Sequence, residues 1–303
     1  MAEALSDGQL QKIENLFKNW NSSENPLDLN LLITGKTGVG KSRLVNALVG
    51  RKVAKEGHIM KDPCQCRVEF FEVTIENVAI KVWDSPGLQD GTCNEDQYIQ
   101  DMRHNIKDIA LMIYCVRMDE TRFYDADKKA IRILTEEFGK DSWKHAVVAL
   151  TFANKVEDPD GEDELEYFQS ELEEWKKQFT EYFASVGVDP KVSIPVIPVG
   201  NKVKSSRLPD RENWLSDLWI DCYHVMKSSA RIGMYRINKK RLMVGGSTVN
   251  EKTDDDHDDE FTSIALNNEQ QEVFLSSTWK AILPFFRDVA VDVVVPLLRK
   301  LIF

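Results

Sequence analysis

The clearest chemistry in the chain lies in one run, Gly35-Lys36-Thr37-Gly38-Val39-Gly40-Lys41-Ser42, which satisfies G-x-x-x-x-G-K-[ST] between an apolar stretch and a helical pattern. Glycines at these spacings let successive backbone N–H groups turn inward around phosphate oxygens, and the following helix adds the positive end of its dipole. Lys41 is placed to reach β and γ phosphates and is the first candidate catalytic residue. Ser42 offers its hydroxyl to Mg²⁺, and Arg43 follows in the same phosphate-binding set. Downstream, Asp84-Ser85-Pro86-Gly87 matches D-x-x-G at the end of another apolar run. Asp84 suits a Mg²⁺ held through water, and the Gly87 N–H suits a γ phosphate. Leu88 comes next, where Ras-like hydrolases place the glutamine that orients the attacking water; an apolar side chain cannot do that, so an isolated monomer is expected to hydrolyse slowly.

Two further runs have the composition of base-reading loops. Asn154-Lys155-Val156-Glu157 resembles the guanine-reading N-K-x-D element, with Glu157 in place of the aspartate that would take the guanine N1 and N2 hydrogens, and Asp158 as an alternative partner. Gly200-Asn201-Lys202 follows a later apolar run, and Asn201 suits a hydrogen bond to the base edge. Their order along the chain, rather than either tetrapeptide, carries the signal. The first mobile loop of GTPases usually carries a threonine that closes on Mg²⁺ and γ phosphate. No threonine occurs between Gly57 and Val68, where Cys64, Gln65 or Cys66 takes the position. A neutral thiol is a poor Mg²⁺ ligand, and one C-x-C falls short of a four-ligand zinc site, so these read as structural thiols.

These residues need a scaffold that brings strand ends together. Apolar runs predict strands at Leu29–Thr34, Val68–Ile75, Val78–Asp84, Ala110–Val116, Ala146–Phe152 and Ile194–Val199. Helical periodicity predicts helices at Lys41–Val49, Tyr98–Ile106, Asp125–Phe138, Leu165–Ser185 and Trp214–Val244. This alternation predicts an α/β P-loop NTPase: a mostly parallel central sheet flanked by helices, with ligands at the carboxyl ends of its strands. Leu10, Ile13, Leu16, Phe17 and Trp20 recur at helical spacing, so residues 1–24 read as an amphipathic helical extension packed on the domain. The nucleotide domain spans 25–245. The acidic stretch 246–262 reads as a solvated linker, since it lacks the glycine and ligand spacing of a calcium loop. A C-terminal apolar helical segment, 263–303, completes the chain. Its end, Ala281–Phe303, suits docking either on a membrane surface or on the nucleotide domain; Pro284 and Pro296 prevent one uninterrupted helix.

Composition narrows the classes. With 303 residues, 42 % apolar and 29 % charged, the chain has the makeup of a folded globular protein. A formal charge of −11 without a long basic run disfavours nucleic-acid binding. No stretch free of Asp, Glu, Lys and Arg exceeds ten residues, against the ~20 of a membrane-spanning helix. The first residues lack a signal peptide, Ala2 stands where myristoylation needs glycine, and five cysteines fit reduced thiols; a location in the cytosol, either free or peripheral on an intracellular membrane, is expected, with the sequon Asn21-Ser22-Ser23 unglycosylated.

From about Leu29 to Cys222 the sequence resembles the septin-like group of GTPases that includes the immunity-associated GIMAP proteins and the plastid import receptors of the TOC complex. Besides the P-loop and Asp84-Ser85-Pro86-Gly87, the resemblance rests on Asp108 to Arg122, Phe138-Gly139 and Leu150-Thr151. It implies GTP or GDP with Mg²⁺ as ligands, and a homodimer through the nucleotide face. It also implies that Arg122, at the position of an arginine that some TOC receptors place against the partner's phosphates, is a candidate catalytic residue; the bland alternative is that Arg122 caps its loop or pairs with Asp119 or Asp125. Two functions follow: a slow, dimer-stimulated GTPase, or a GTP-dependent scaffold with negligible turnover, which Leu88 and the missing threonine favour. An ATP-dependent kinase or ATPase is a third class, against which Asn154-Lys155 argues.

Overall fold

The computed structural model describes residues 27–51, 69–84, 104, 106, 108–120, 122–161, 163–201, 207–239, 241–244 and 264–282. Six strands form the main sheet: β1 (Leu27–Gly35), β2 (Glu69–Ile75), β3 (Val78–Asp84), β4 (Leu111–Arg117), β5 (Ala146–Thr151) and β6 (Val196–Pro198). Their spatial order is β2-β3-β1-β4-β5-β6. All neighbours are parallel except the β2–β3 pair, joined by a tight turn in which Glu76 and Asn77 both take positive φ. Leu31, Leu32 and Ile33 of β1 and Leu111 to Tyr114 of β4 are buried on both faces. Such runs suit a parallel sheet covered from both sides.

Helix α1 (Lys41–Val49) follows β1, α2 (Asp125–Phe138) follows β4, and α3 (Glu164–Ser185) lies between β5 and β6. The α3 stripe Phe168, Leu172, Trp175, Phe179 and Phe183 recurs at helical spacing and is buried; Phe123 packs on Phe179 with ring centroids 4.7 Å apart. Each parallel strand feeds a crossover, so the carboxyl ends of β1, β3, β4, β5 and β6 share one edge of the sheet.

The expected helix Trp214–Val244 is corrected. It is two helices, α4 (Trp214–Val225) and α5 (Ser228–Asn238), followed by strand β7 (Leu242–Val244). Met226 and Lys227 turn extended, with ψ of 157° and 137°. The cause is tertiary: the Lys227 N–H donates to the Ala110 carbonyl at 2.9 Å and its ammonium to Asp108 at 2.8 Å, fastening the bend to the start of β4. The reading of 263–303 as helical is corrected at its start, where Ile264–Leu266 forms β8, parallel to β7. Helix α6 (Asn268–Ile282) then packs on α4 and α5. Trp219, Tyr223, Tyr235 and Phe274 form the aromatic seam there, and the buried Arg231 guanidinium donates to the carbonyls of Tyr223, His224 and Ser277. Among the described residues no helix is long and apolar enough to cross a membrane. The extension 1–24, the first loop with Cys64 and Cys66, Gly87 and Leu88, nearly all of the expected helix Tyr98–Ile106, Lys202, the acidic stretch 246–262 and the tail beyond Ile282 lie outside the described residues.

Candidate functional site

The run Gly35 to Ser42 forms the turn between β1 and α1. Gly35 closes β1 with φ +137°, and a Cβ there would lie 2.2 Å from the Cys115 carbonyl oxygen, so only glycine fits between the central strands. Gly40, left-handed at φ 86°, begins α1 and provides no side-chain cap for its first turn. An uncapped helix start under an inward-curled loop is an anion cradle. Buried Lys41 donates from Nζ to the carbonyls of Gly35 and Lys36, both at 3.0 Å, which curls its ammonium back under the loop. Ser42 and Arg43 lie half-buried in the first turn of α1, while Thr37 and Gly38 are exposed and Val39 is buried in the core.

The side chain of Lys36 turns away from the loop. Its ammonium meets Asp127 at 2.7 Å and Glu120 at 3.5 Å, and lies 4.5 Å from the Tyr124 ring centre. Only its backbone N–H is left to serve a phosphate. Asp84 ends β3 in register with Ile33, two residues short of Gly35, which brings this acidic position beside the P-loop; its side chain lies outside the described residues.

Arg122 is exposed on the loop between β4 and α2, its guanidinium 5.2 Å from the Tyr124 ring centre. The bland alternative pairings are corrected. Asp119 accepts from Nε and Nη2 of Arg117, at 2.9 and 2.6 Å, a pairing that pushes the Arg117 pKa up, and Asp125 pairs with Lys128.

The two candidate base loops meet. The Asn201 N–H donates to Asn154 Oδ1 at 2.8 Å, and Ala153 N–H donates to the Val199 carbonyl, joining turns 47 positions apart in sequence. The Asn201 side-chain oxygen is buried without a hydrogen-bond partner. Gly200 is held against Trp214, where a Cβ would lie 2.7 Å from the indole nitrogen. Lys155 and Glu157 are exposed on the rim. Asp158 instead accepts from the amides of Asp160 and Asp163, which commits its carboxylate to the loop.

Sequence reasoning missed Phe152. It leaves β5 in the left-handed region at φ 58°, and its ring lines a small cavity with Gly40, Arg43, Leu44, Thr151, Gly200 and Asn201. The Arg117 guanidinium lies 4.0 Å and the Lys155 ammonium 5.0 Å from its centre. An aromatic residue at the end of an apolar run reads as core; only the positive φ turns it toward the P-loop, and no sequence pattern announces that.

The arrangement is a P-loop nucleotide site of the α/β class: a cradle for phosphates, an acidic strand end beside it, and paired asparagine-bearing turns at a distance. Residues 29–182 match the AIG1 family, and the chain belongs to it. Translocase of chloroplast 34 of Pisum sativum is 31 % identical over 205 residues, 63 % of this chain and 63 % of that protein, so the chain spans less than two thirds of that relative. A crystal structure of Toc33 from Arabidopsis thaliana with Mg²⁺ and GMPPNP shares the fold, at TM-score 0.55 and 21 % identity over 75 % of this chain and 92 % of that one. A second structure, of the chloroplast translocon components atToc33 and psToc159, for whose GTPase activity dimerisation is important, is likewise similar at TM-score 0.55 and 21 % identity, over 74 % of this chain and 89 % of the other.

Proposed function

We propose that this protein binds GTP and Mg²⁺ at the carboxyl edge of its sheet and hydrolyses GTP slowly to GDP and phosphate, with a second copy of the chain completing the site through the face that carries Arg122. The observation that carries the reading is the convergence of the Gly35–Ser42 cradle, the Asp84 strand end and the fastened Asn154 and Asn201 turns on one edge. Gly35, Lys36, Thr37, Gly38, Val39 and Gly40 offer backbone amides to the phosphates, and Lys41 leaves its two carbonyls to meet them. Asn154, Lys155, Glu157, Gly200 and Asn201 select guanine, the unpartnered Asn201 oxygen being suited to a base N–H. Ser42 and Asp84 would hold Mg²⁺, which when bound neutralises charge on the phosphates. Arg122, exposed and free to face a partner's phosphates, would stabilise charge on the departing γ phosphoryl oxygens. We infer further that the nucleotide-binding unit reaches Ile282, because β8 and α6 are packed into it.

Calorimetry with magnesium-saturated apoprotein, followed by single-turnover hydrolysis at rising protein concentration, tests this. GTP is expected to bind and ATP not to compete. The rate is expected to climb with concentration and to fall about 10³-fold or more in Arg122→Ala, the scale of a supplied arginine. No heat for GTP removes the whole reading. Tight GTP binding with a flat, near-zero rate replaces the enzyme by the scaffold, which Leu88 favours.

A further inference from the structure

We propose that Lys36 and Asp127 form a positioning pair that ties the arginine-bearing loop to the phosphate loop, so that phosphate occupancy and the presentation of Arg122 are coupled through one P-loop side chain. This rests on the GTPase reading above and extends it.

Asp127 lies in the first turn of α2 with its side chain 1 % exposed. A carboxylate so buried needs a counter-charge and hydrogen bonds. The counter-charge is the Lys36 ammonium, 2.7 Å from Oδ2, an oxygen that accepts no hydrogen bond and so depends on that charge alone; Oδ1 accepts from the Tyr114 hydroxyl at 3.1 Å. Burial and the adjacent carboxylate push the Tyr114 pKa well up, so this hydroxyl keeps its proton at any physiological pH. The carboxylate is therefore anchored from the central strand β4, and the P-loop comes to it.

Lys36 then touches the rest of the loop. Glu120 stands 3.5 Å from its ammonium, and the Tyr124 ring, 4.5 Å away, is the same ring on which Arg122 rests. Meanwhile the Lys36 carbonyl accepts a hydrogen bond from the Lys41 ammonium. Residue 36 thus lies between the lysine expected on the phosphates and the segment that carries the arginine: its carbonyl accepts from the first, and its side chain pairs with Glu120 and Asp127 on either side of the second. Well-packed apolar residues could stabilise this junction equally well. An ion pair between a P-loop residue and α2 restricts their relative placement, since separating them strips a buried carboxylate of its counter-charge.

The test is Asp127→Asn, Lys36→Met and the double variant, each measured for GDP affinity, thermal midpoint, self-association with a GTP analogue, and hydrolysis rate at saturating GTP. In Asp127→Asn, GDP affinity is expected to stay within about threefold of the parent, because the amides that hold phosphate are intact. Self-association and the concentration-dependent part of the rate are expected to fall about 10- to 100-fold, the scale of a misplaced catalytic group. The double variant, which also removes any unpaired buried charge that unfolds a single one, is expected to be no worse than Asp127→Asn, since two residues acting as one device do not add. A rate and self-association equal to the parent in Asp127→Asn overturn the proposal. So does a loss of GDP affinity and thermal midpoint in proportion to the rate, which would make the pair purely structural, and so does a double variant about tenfold worse again. A parent that binds no GTP removes the GTPase reading instead, and the two failures are distinct.

Discussion

Gly35 and Gly38 show how differently two residues of one motif are constrained. At Gly35 a Cβ would overlap the Cys115 carbonyl at 2.2 Å in a backbone with φ +137°, between the two central strands. Gly35→Ala is expected to destabilise the fold by about 3 kcal/mol or more, because strand separation and backbone strain add. Gly38 shares the positive φ, +82°, but has nothing within 4 Å of where its Cβ would be. Gly38→Ala is expected to cost about 1 kcal/mol through strain alone while obstructing the phosphate path. Urea unfolding of both variants, beside GDP titration, separates the two roles: the first loses stability, the second chiefly affinity. A smaller stability loss at Gly35 than at Gly38 would contradict this account. At this scale the sequence was legible where chemistry is carried by a contiguous run. The eight residues from Gly35 to Ser42 form the strand–turn–helix junction that the run predicts because most of its determinants are local, the demand for glycine at position 35, set by Cys115 on the neighbouring strand, being the exception. Phe152 and the Lys36 side chain were not legible. The orientation of the first depends on one backbone angle, and the partner of the second lies 91 positions away.

Strands and helices with regular burial were readable to within a residue or two: β3, α1 and α2 have the bounds their apolar patterns predict. The expected helix over 214–244 failed for a physical reason. Val225 to Ser228 contains neither glycine nor proline, and the bend is set by hydrogen bonds from Lys227 to Ala110 and Asp108, more than a hundred positions earlier. A helical period cannot carry that information. The same limit hid β8, three residues long and defined only by its pairing with β7. The junction of α4, α5 and α6 yields a prediction of its own. Arg231 donates three hydrogen bonds to carbonyls, those to Tyr223 and Ser277 buried, although burial lowers its own pKa and so offsets part of the gain. Arg231→Met is expected to destabilise by about 2–4 kcal/mol, since the orphaned carbonyls lose partners they cannot replace. Limited proteolysis should show cleavage before α6 well ahead of cleavage in the sheet; simultaneous cleavage at both would mean that α6 is no separate unit of opening.

The whole molecule carries a net charge of −11, and part of that charge works against folding. Asp221 on α4 is pushed up to about 6, first by burial and then by neighbouring Asp217, with Arg211 only partly opposing. A folded pKa above the ordinary carboxylate value means the native state binds the proton more tightly than the unfolded chain does. Stability therefore falls as pH rises from about 4 to about 6, and the penalty is fully present above that. Asp221→Asn is expected to raise stability at pH 7.5 by about 1–3 kcal/mol and to flatten the profile between pH 4 and 6. Thermal melts of both proteins across that range check it; parallel profiles would refute the assignment.

The hydrogen bond from the Asn201 amide to the Asn154 side chain has a further implication for kinetics. Together with the bond from the Ala153 amide to the Val199 carbonyl, it joins the two turns in the folded chain without a ligand, so under the proposed reading a purine ring would meet walls already linked to each other. Ordering entropy is spent once, during biosynthesis, and each subsequent encounter is spared it. Under that reading, association rates of guanine nucleotides should differ little from one another, leaving dissociation as the step by which nucleotides of different phosphate number are told apart.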